Sequence, residues 1–305
     1  MNRYAKHEER IVWGVDSASD RFDLMCGPVP QDEPIFILSA GWRSGSTAVQ
    51  RILTTDNRII WGEPFAHSAP IRSAAEAWIP FNNDESRLPA DWPLEQFFLT
   101  SHSPSLLAET WIANLYPEPL ELLAAQRAYL SALFGTPAAR AGISKWGVKG
   151  VRMGGGVAVF LQMLFPHARF VLLTRNPFDA FLSYREKLRK GRNARGWYFR
   201  FPHDPVLNAR HFGEVWAGLA SSMQRHASRC RGPMIRYEDL TLQATTEALR
   251  RHGLDINDEA IGVRVGSSIS ESSQPLLSKS EVHELRASTS VIAEELGYFG
   301  PTLTE

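Results

Sequence analysis

"PIFILSAGWRSGSTAVQRIL", residues 34–53, passes from an apolar segment through a Gly/Ser/Thr loop into a helical pattern. Its first part, "PIFILSA" (34–40), is apolar at successive rather than alternate positions, which suits a strand buried on both faces of a parallel sheet. "TAVQRIL" (47–53) then reads as a helix. A loop between strand and helix turns several backbone N–H groups toward one point, and the helix N-terminus adds positive potential there. Small residues such as Gly45 let an anion approach the backbone. Ser44, Ser46 and Thr47 add hydroxyl donors, and Arg43 adds a cation of fork geometry. The stretch therefore reads as a phosphate-holding loop; a Gly/Ser turn without ligand is the bland alternative.

The loop is not of the ATP type. That pattern, G-x-x-x-x-G-K-[ST], would place a lysine after Gly45, where Ser46 stands. The second apolar strand, "ARFVLLTR" (168–175), also lacks an aspartate at its end to help hold Mg²⁺. Arg175 closes that strand instead, and Ser183 lies eight residues on, two turns into the next helix, in "LLTRNPFDAFLSYR". Asn176 is a suitable N-cap for that helix and Pro177 a suitable first residue. An arginine and a serine at the carboxyl edge of the sheet can hold a second, separate phosphate. Two phosphate sites, neither built for a triphosphate, point to a nucleotide phosphorylated at both ends.

Elsewhere, residues 1–33 are polar and mixed and read as an arm or irregular lead-in. Residues 64–140 differ in texture, with Pro-rich turns, Trp78, Trp92 and Trp111, and one helix over roughly 118–134; they read as an insertion on the acceptor side. "GVAVFLQMLFP" (156–166) is a helix stopped by Pro166, residues 211–229 are another, and "GPMIRYEDL" (232–240) reads as a third strand. "TLQATTEALRRHG" is a helix closed by Gly253. Ser278 and Glu281 form an S-x-x-E capping box before a final helix that stops at Gly297. Strands alternate with helices, so the expected fold is α/β: a parallel β-sheet flanked by helices in one domain spanning 1–305.

Composition narrows the function classes. With 33 basic and 33 acidic residues the formal net charge is zero, so bulk charge makes no case for nucleic-acid or membrane binding. Cys26 and Cys230 belong to no ligand set, which argues against zinc and suits a reducing compartment. The polar N-terminus "MNRYAKHEER" does not read as a signal peptide, and no apolar run approaches the roughly 20 residues that span a bilayer. A soluble, cytoplasmic protein is the expectation.

"GWRSGST" together with "TRNPFDAFLSYR" resembles the PAPS-dependent sulfotransferases, where PAPS is 3′-phosphoadenosine 5′-phosphosulfate. Arg43 is similar to the RSGS/RSGT form found in carbohydrate and tyrosyl-protein sulfotransferases, not to the lysine of cytosolic small-molecule members. The resemblance implies a P-loop NTPase-like sulfotransferase fold. It implies that Arg43, Ser44, Gly45, Ser46 and Thr47 grip the 5′-phosphosulfate and that Arg175 and Ser183 grip the 3′-phosphate. It places Tyr237, in "RYEDL", beside the nucleotide. It further implies PAPS as co-substrate, PAP as product, no metal, and an acceptor hydroxyl, more in keeping with a glycan, glycolipid or other small hydroxylated metabolite than with a steroid.

Sulfuryl transfer needs cations on the leaving phosphate and a base for the acceptor. Arg43 and Lys149, in "KWGVKGVR" ahead of a glycine-opened helix, are the cation candidates, with Arg152 in reserve. Glu63, in "IIWGEPF", is the base candidate that the resemblance implies. His67 is its rival because an imidazole titrates near neutral pH. The basic run "REKLRKGRNAR" (185–195) touches ligand or is a solvated helix end. Gly154–Gly156 serve close backbone approach or a loose helix start, and the three tryptophans are sugar platforms or packing. Ser267, Ser268 and Lys279 fall where the family's late cofactor loop would lie. An ATP-dependent P-loop kinase and a non-catalytic nucleotide-binding protein of the same fold are the alternatives.

Overall fold

The computed structural model describes residues 2–22, 24, 32–81, 117–190, 206, 208–241, 243–261, 263 and 277–299. Five strands, β1 (Ile35–Ser39), β2 (Arg58–Trp61), β3 (Lys145–Val151), β4 (Arg169–Thr174) and β5 (Met234–Arg236), form a parallel sheet in the order β2-β3-β1-β4-β5. β1 is central and wholly buried. Because side chains alternate across a strand, Ile35 and Ile37 join Val171 and Leu173 on one face, and Phe36 and Leu38 join Phe170 and Leu172 on the other. The first face is covered by α2 (Ser46–Leu53) through Val49, Ile52 and Leu53, and by α9 (Gln243–Arg251) through Leu249. The larger second face packs under α1 (Arg3–Phe22), α6 (Gly155–Leu164), α7 (Pro177–Lys190), α8 (Ala209–His226) and α10 (Lys279–Glu295). The α/β fold with a helix-flanked parallel sheet is thus the one read from the sequence.

Two further helices, α3 (Pro64–Glu76) and α4 (Pro119–Leu130), and a short α5 (Thr136–Arg140) lie in the connection between β2 and β3, where the insertion was expected. Trp78 is core: it is fully buried and its Nε1 donates to Gln126 Oε1 at 2.8 Å. Trp92 and Trp111 lie outside the described residues.

The irregular lead-in expected over residues 1–33 is corrected. Arg3–Phe22 is a 20-residue helix, and Ile11, Val12, Val15 and Ala18 lie buried along one of its faces. Its polar texture misled because two acids on it are buried as well. Glu8 is 1% exposed and accepts from the backbone N–H groups of Gly154 (3.2 Å) and Val157 (3.1 Å), so one helix supplies the cap of another. The three glycines follow from this packing. A Cβ would sit 2.7 Å from the Glu8 carboxyl carbon at Gly154, 2.2 Å from the Ser222 carbonyl at Gly155, and 2.3 Å from the Glu8 carbonyl at Gly156. Close approach, not a loose helix start, is their role. Glu8→Ala is expected to destabilise the fold by about 1–3 kcal/mol, the range for orphaning buried donors. A chemical-denaturation midpoint equal to wild type would refute this cap.

No described helix is long and apolar enough to cross a membrane. Cys230 is buried and its thiol is pushed up to about 12 by that burial, so it is inert at neutral pH; Cys26 lies outside the described residues.

Candidate functional site

β1 and β4 are neighbours, but the chain leaves them in opposite directions. After β1 it runs through α2 on one face toward β2; after β4 it runs through α7 on the other face toward β5. The topological switch point thus lies between their carboxyl ends, the place where open α/β sheets bind ligands. The two loops singled out in the sequence meet there.

One cluster gathers residues from the loops after β1 and β4, from α7 and from the turn after β5. Arg43 sits in the left-handed region with φ 59°, and its Nε donates to Ser183 Oγ at 2.9 Å. Arg175, just past β4, donates from Nη1 to the Arg43 carbonyl at 2.8 Å. The Arg175 guanidinium carbon is 4.7 Å from the centre of the Tyr237 ring. Tyr237 begins a single 3₁₀ turn, Tyr237–Asp239, where the sequence suggested that the strand would continue to residue 240. Glu238 Oε1 accepts the Asn176 N–H at 2.8 Å, tying this turn to the β4 loop. Asn176 in turn caps α7, its Oδ1 accepting from the Phe178 N–H at 3.0 Å. The Tyr237 ring lies directly on Gly45, which also has φ 84° as the residue before α2.

Electrostatically, this cluster is built for anions. Among the described residues neither Arg43 nor Arg175 meets a carboxylate. Burial, and then the charge of Arg175, lower the Arg43 pKa from its usual value, although arginine stays protonated in proteins. Ser44 is buried and its hydroxyl has no hydrogen-bond partner among the described residues. A buried hydroxyl, two like charges and the N-terminus of α2 all gain from a negatively charged ligand carrying several oxygens. These residues fit an oxygen-rich anion such as the phosphate of a nucleotide.

A second cluster lies on the α2 side of β3. The sequence reading put Lys149 ahead of a glycine-opened helix; it stands within β3, paired in register with Ile37. It therefore faces the same side as Ile37, toward α2. It is 6% exposed, and its Nζ lies 2.5 Å from Glu63 Oε1 and 3.4 Å from Thr47 Oγ1. Glu63 occupies the position before α3, just after β2. β3 does not stand out as a strand in the sequence, because in "KWGVKGV" two lysines and two glycines, all depleted in strands, offset Trp146, Val148 and Val151.

His67 lies in α3, with its side chain outside the described residues. Ser46 opens α2 and is buried. Arg185 is engaged elsewhere: it forms an ion pair with Glu281 of the capping box on α10, 2.5 Å apart. The rest of the basic run, as well as Ser267 and Ser268, lies outside the described residues or side chains. Lys279 is exposed in the first turn of α10 and is not among the groups that converge here. Among the described residues no group of His, Cys, Asp and Glu could hold a metal ion.

Sequence reading missed Trp42, Glu238 and Arg72. A tryptophan inside a loop of small residues was the available signal. Trp42 is buried against Tyr184, with ring centres 5.2 Å apart, and the Arg152 guanidinium carbon is 4.4 Å from its ring centre.

Residues 34–252 match the model of a family described as the sulfotransferase family. No curated protein matches the chain. Among solved structures, the chain is similar to a sulfotransferase from Alicyclobacillus acidocaldarius, with 17% identity, TM-score 0.41, and 87% of this chain and 94% of that one covered. It is also similar to the sulfotransferase domain of the Synechococcus PCC 7002 olefin synthase, with 16% identity, TM-score 0.43, and 90% and 99% covered.

Proposed function

Because this chain belongs to the sulfotransferase family, we propose that it moves the sulfuryl group of PAPS to a hydroxyl of a glycan, glycolipid or other small hydroxylated metabolite. In that reaction the acceptor oxygen forms a bond to sulfur as the bond from sulfur to the 5′-phosphate oxygen breaks. The acceptor proton goes to a base and PAP leaves. Arg175, Ser183 and Tyr237 would hold the 3′-phosphate side of the nucleotide. Arg43, Ser44, Gly45, Ser46 and Thr47 would hold the 5′ side, with the α2 N-terminus facing the charge that develops on the leaving phosphate. Glu63 is the base and Lys149 the cation on the leaving oxygen. Their ion pair keeps a proton acceptor and a positive charge together next to Thr47 of the first loop.

The observation that carries this reading is the meeting of Arg43, Arg175, Ser183 and Tyr237, drawn from two loops, α7 and the turn after β5, beside a buried hydroxyl without a partner among the described residues. Calorimetric titration with PAP, with AMP and Mg²⁺-ATP as controls, tests it. PAP bound more tightly than AMP supports two phosphate positions; equal affinities would remove the basis of the reading, and preferential ATP binding would favour a kinase. Transfer of labelled sulfate from PAPS to a panel of hydroxylated acceptors then tests turnover.

Gly45→Ala provides a further check. A Cβ there would sit 1.9 Å from Tyr237 Cδ2, and the residue would be strained at φ 84°. Left-handed strain alone should lower stability by about 1–2 kcal/mol, and displacement of the Tyr237 ring by the new Cβ should weaken PAP binding. Wild-type affinity in this variant would show that the Gly45–Tyr237 contact is not part of the nucleotide site.

A further inference from the structure

Among the described residues only two non-glycines have positive φ, and both are arginines past the carboxyl ends of the paired strands β1 and β3: Arg43 (59°) and Arg152 (58°). Strained backbone of this kind persists only where the surroundings hold it. Trp42 is what the two share. It precedes Arg43 in the chain, and its ring carries the Arg152 guanidinium at 4.4 Å. That ring also stacks on Tyr184, which is next in the chain to Ser183, the residue that accepts from Arg43. All three groups are buried: Arg152 is 8% exposed, Trp42 5% and Tyr184 4%. At its backbone Arg152 is held as well. Its carbonyl accepts from Arg72 of α3, the helix that Glu63 precedes, and the N–H of the next residue, Met153, donates to Ser39 at the end of β1 at 3.3 Å.

We propose that Arg152 is a positioning residue acting through Trp42. On this account it presses the indole onto Tyr184 and so holds Arg43 in its left-handed conformation, with Nε on Ser183 and the carbonyl toward Arg175. The same residue ties α3, and with it the Glu63 side, to the loop that faces the nucleotide. Arg152 is then not the reserve cation for the leaving group. This inference rests on the sulfotransferase reading only for the identity of the ligand.

Four variants test it: Arg152→Ala, Trp42→Leu, the two combined, and Trp42→Phe. Two quantities are read: PAP affinity by calorimetry, and the Nε–Hε resonance of Arg43 in ligand-free protein, identified by its loss in Arg43→Lys. Each of the first two substitutions is expected to weaken PAP binding roughly tenfold, and the double variant no more than the worse single, since contacting residues acting through one path are non-additive. Trp42→Phe, which keeps a ring under the guanidinium, should restore most of the affinity. The Arg43 resonance should move in Arg152→Ala, which a residue merely supporting the core or touching the donor's sulfuryl group would not produce. Additive losses, or an unmoved Arg43 resonance, overturn the inference. Wild-type protein that fails to bind PAP would instead overturn the sulfotransferase reading, and the Arg43 resonance would still decide the positioning role.

Discussion

Glu63→Gln is expected to lower sulfuryl-transfer turnover by about 10²–10⁴-fold, the range for loss of a general base, while PAP binding stays at the wild-type level. The expectation comes from the geometry around Lys149. Glutamine keeps an oxygen where Glu63 Oε1 now lies, 2.5 Å from Lys149 Nζ, but that oxygen no longer takes up a proton. The buried lysine would lose its counter-charge, so a modest fall in stability should accompany the loss of rate. That fall should stay below the figure for a fully buried pair, because the Glu63 side chain is 24% exposed and solvent can compensate. Retained PAP affinity separates the chemical effect from a folding effect. Turnover that survives the substitution would remove Glu63 as the base and bring forward His67, or a role for Glu63 in orienting the acceptor.

Arg175→Ala should act on binding in place of chemistry. A hydrogen bond to a charged group contributes about 1.5–3 kcal/mol, which corresponds to roughly a 10- to 150-fold rise in the PAP dissociation constant. Arg175 does two further things: it donates to the Arg43 carbonyl at 2.8 Å and packs on Tyr237. Its removal should therefore loosen the left-handed Arg43 turn as well. The diagnostic result is selectivity: PAP should lose far more affinity than AMP, which lacks the 3′-phosphate. Unchanged PAP binding would show that Arg175 is not at the 3′ end, and an equal loss for both nucleotides would mean that its effect runs only through Arg43.

The parts of the fold that declared themselves in the sequence were those whose local chemistry is strong. "PIFIL" and "FVLL" read as buried strands because a parallel strand covered on both faces is apolar throughout. Asn176–Pro177 and Ser278/Glu281 read as helix starts, and both caps are present. β3 and α1 did not read so plainly, for a common reason. Each buries polar residues whose partners are distant in sequence: Lys149 meets Glu63, and Glu8 meets Gly154 and Val157. Composition scores such residues as solvated, and only the partner reverses that.

The site shows the same division. The sequence alone marked the candidate phosphate-binding residues and showed that the loop lacks the lysine of an ATP site, because these depend on residue type and short spacing. It also carried the family, which the match over 34–252 shows. Tertiary structure decided which of those residues share a point in space. It set Arg43 on Ser183 from 140 positions away, folded Tyr237 over Gly45, and brought Lys149 out of a neighbouring strand to meet Glu63. It also made Trp42 the common neighbour of Arg152 and Tyr184. The physical reason is that strand order and register, which bring distant loops to one sheet edge, are set by the packing of the whole core and leave no mark in any single stretch of chain.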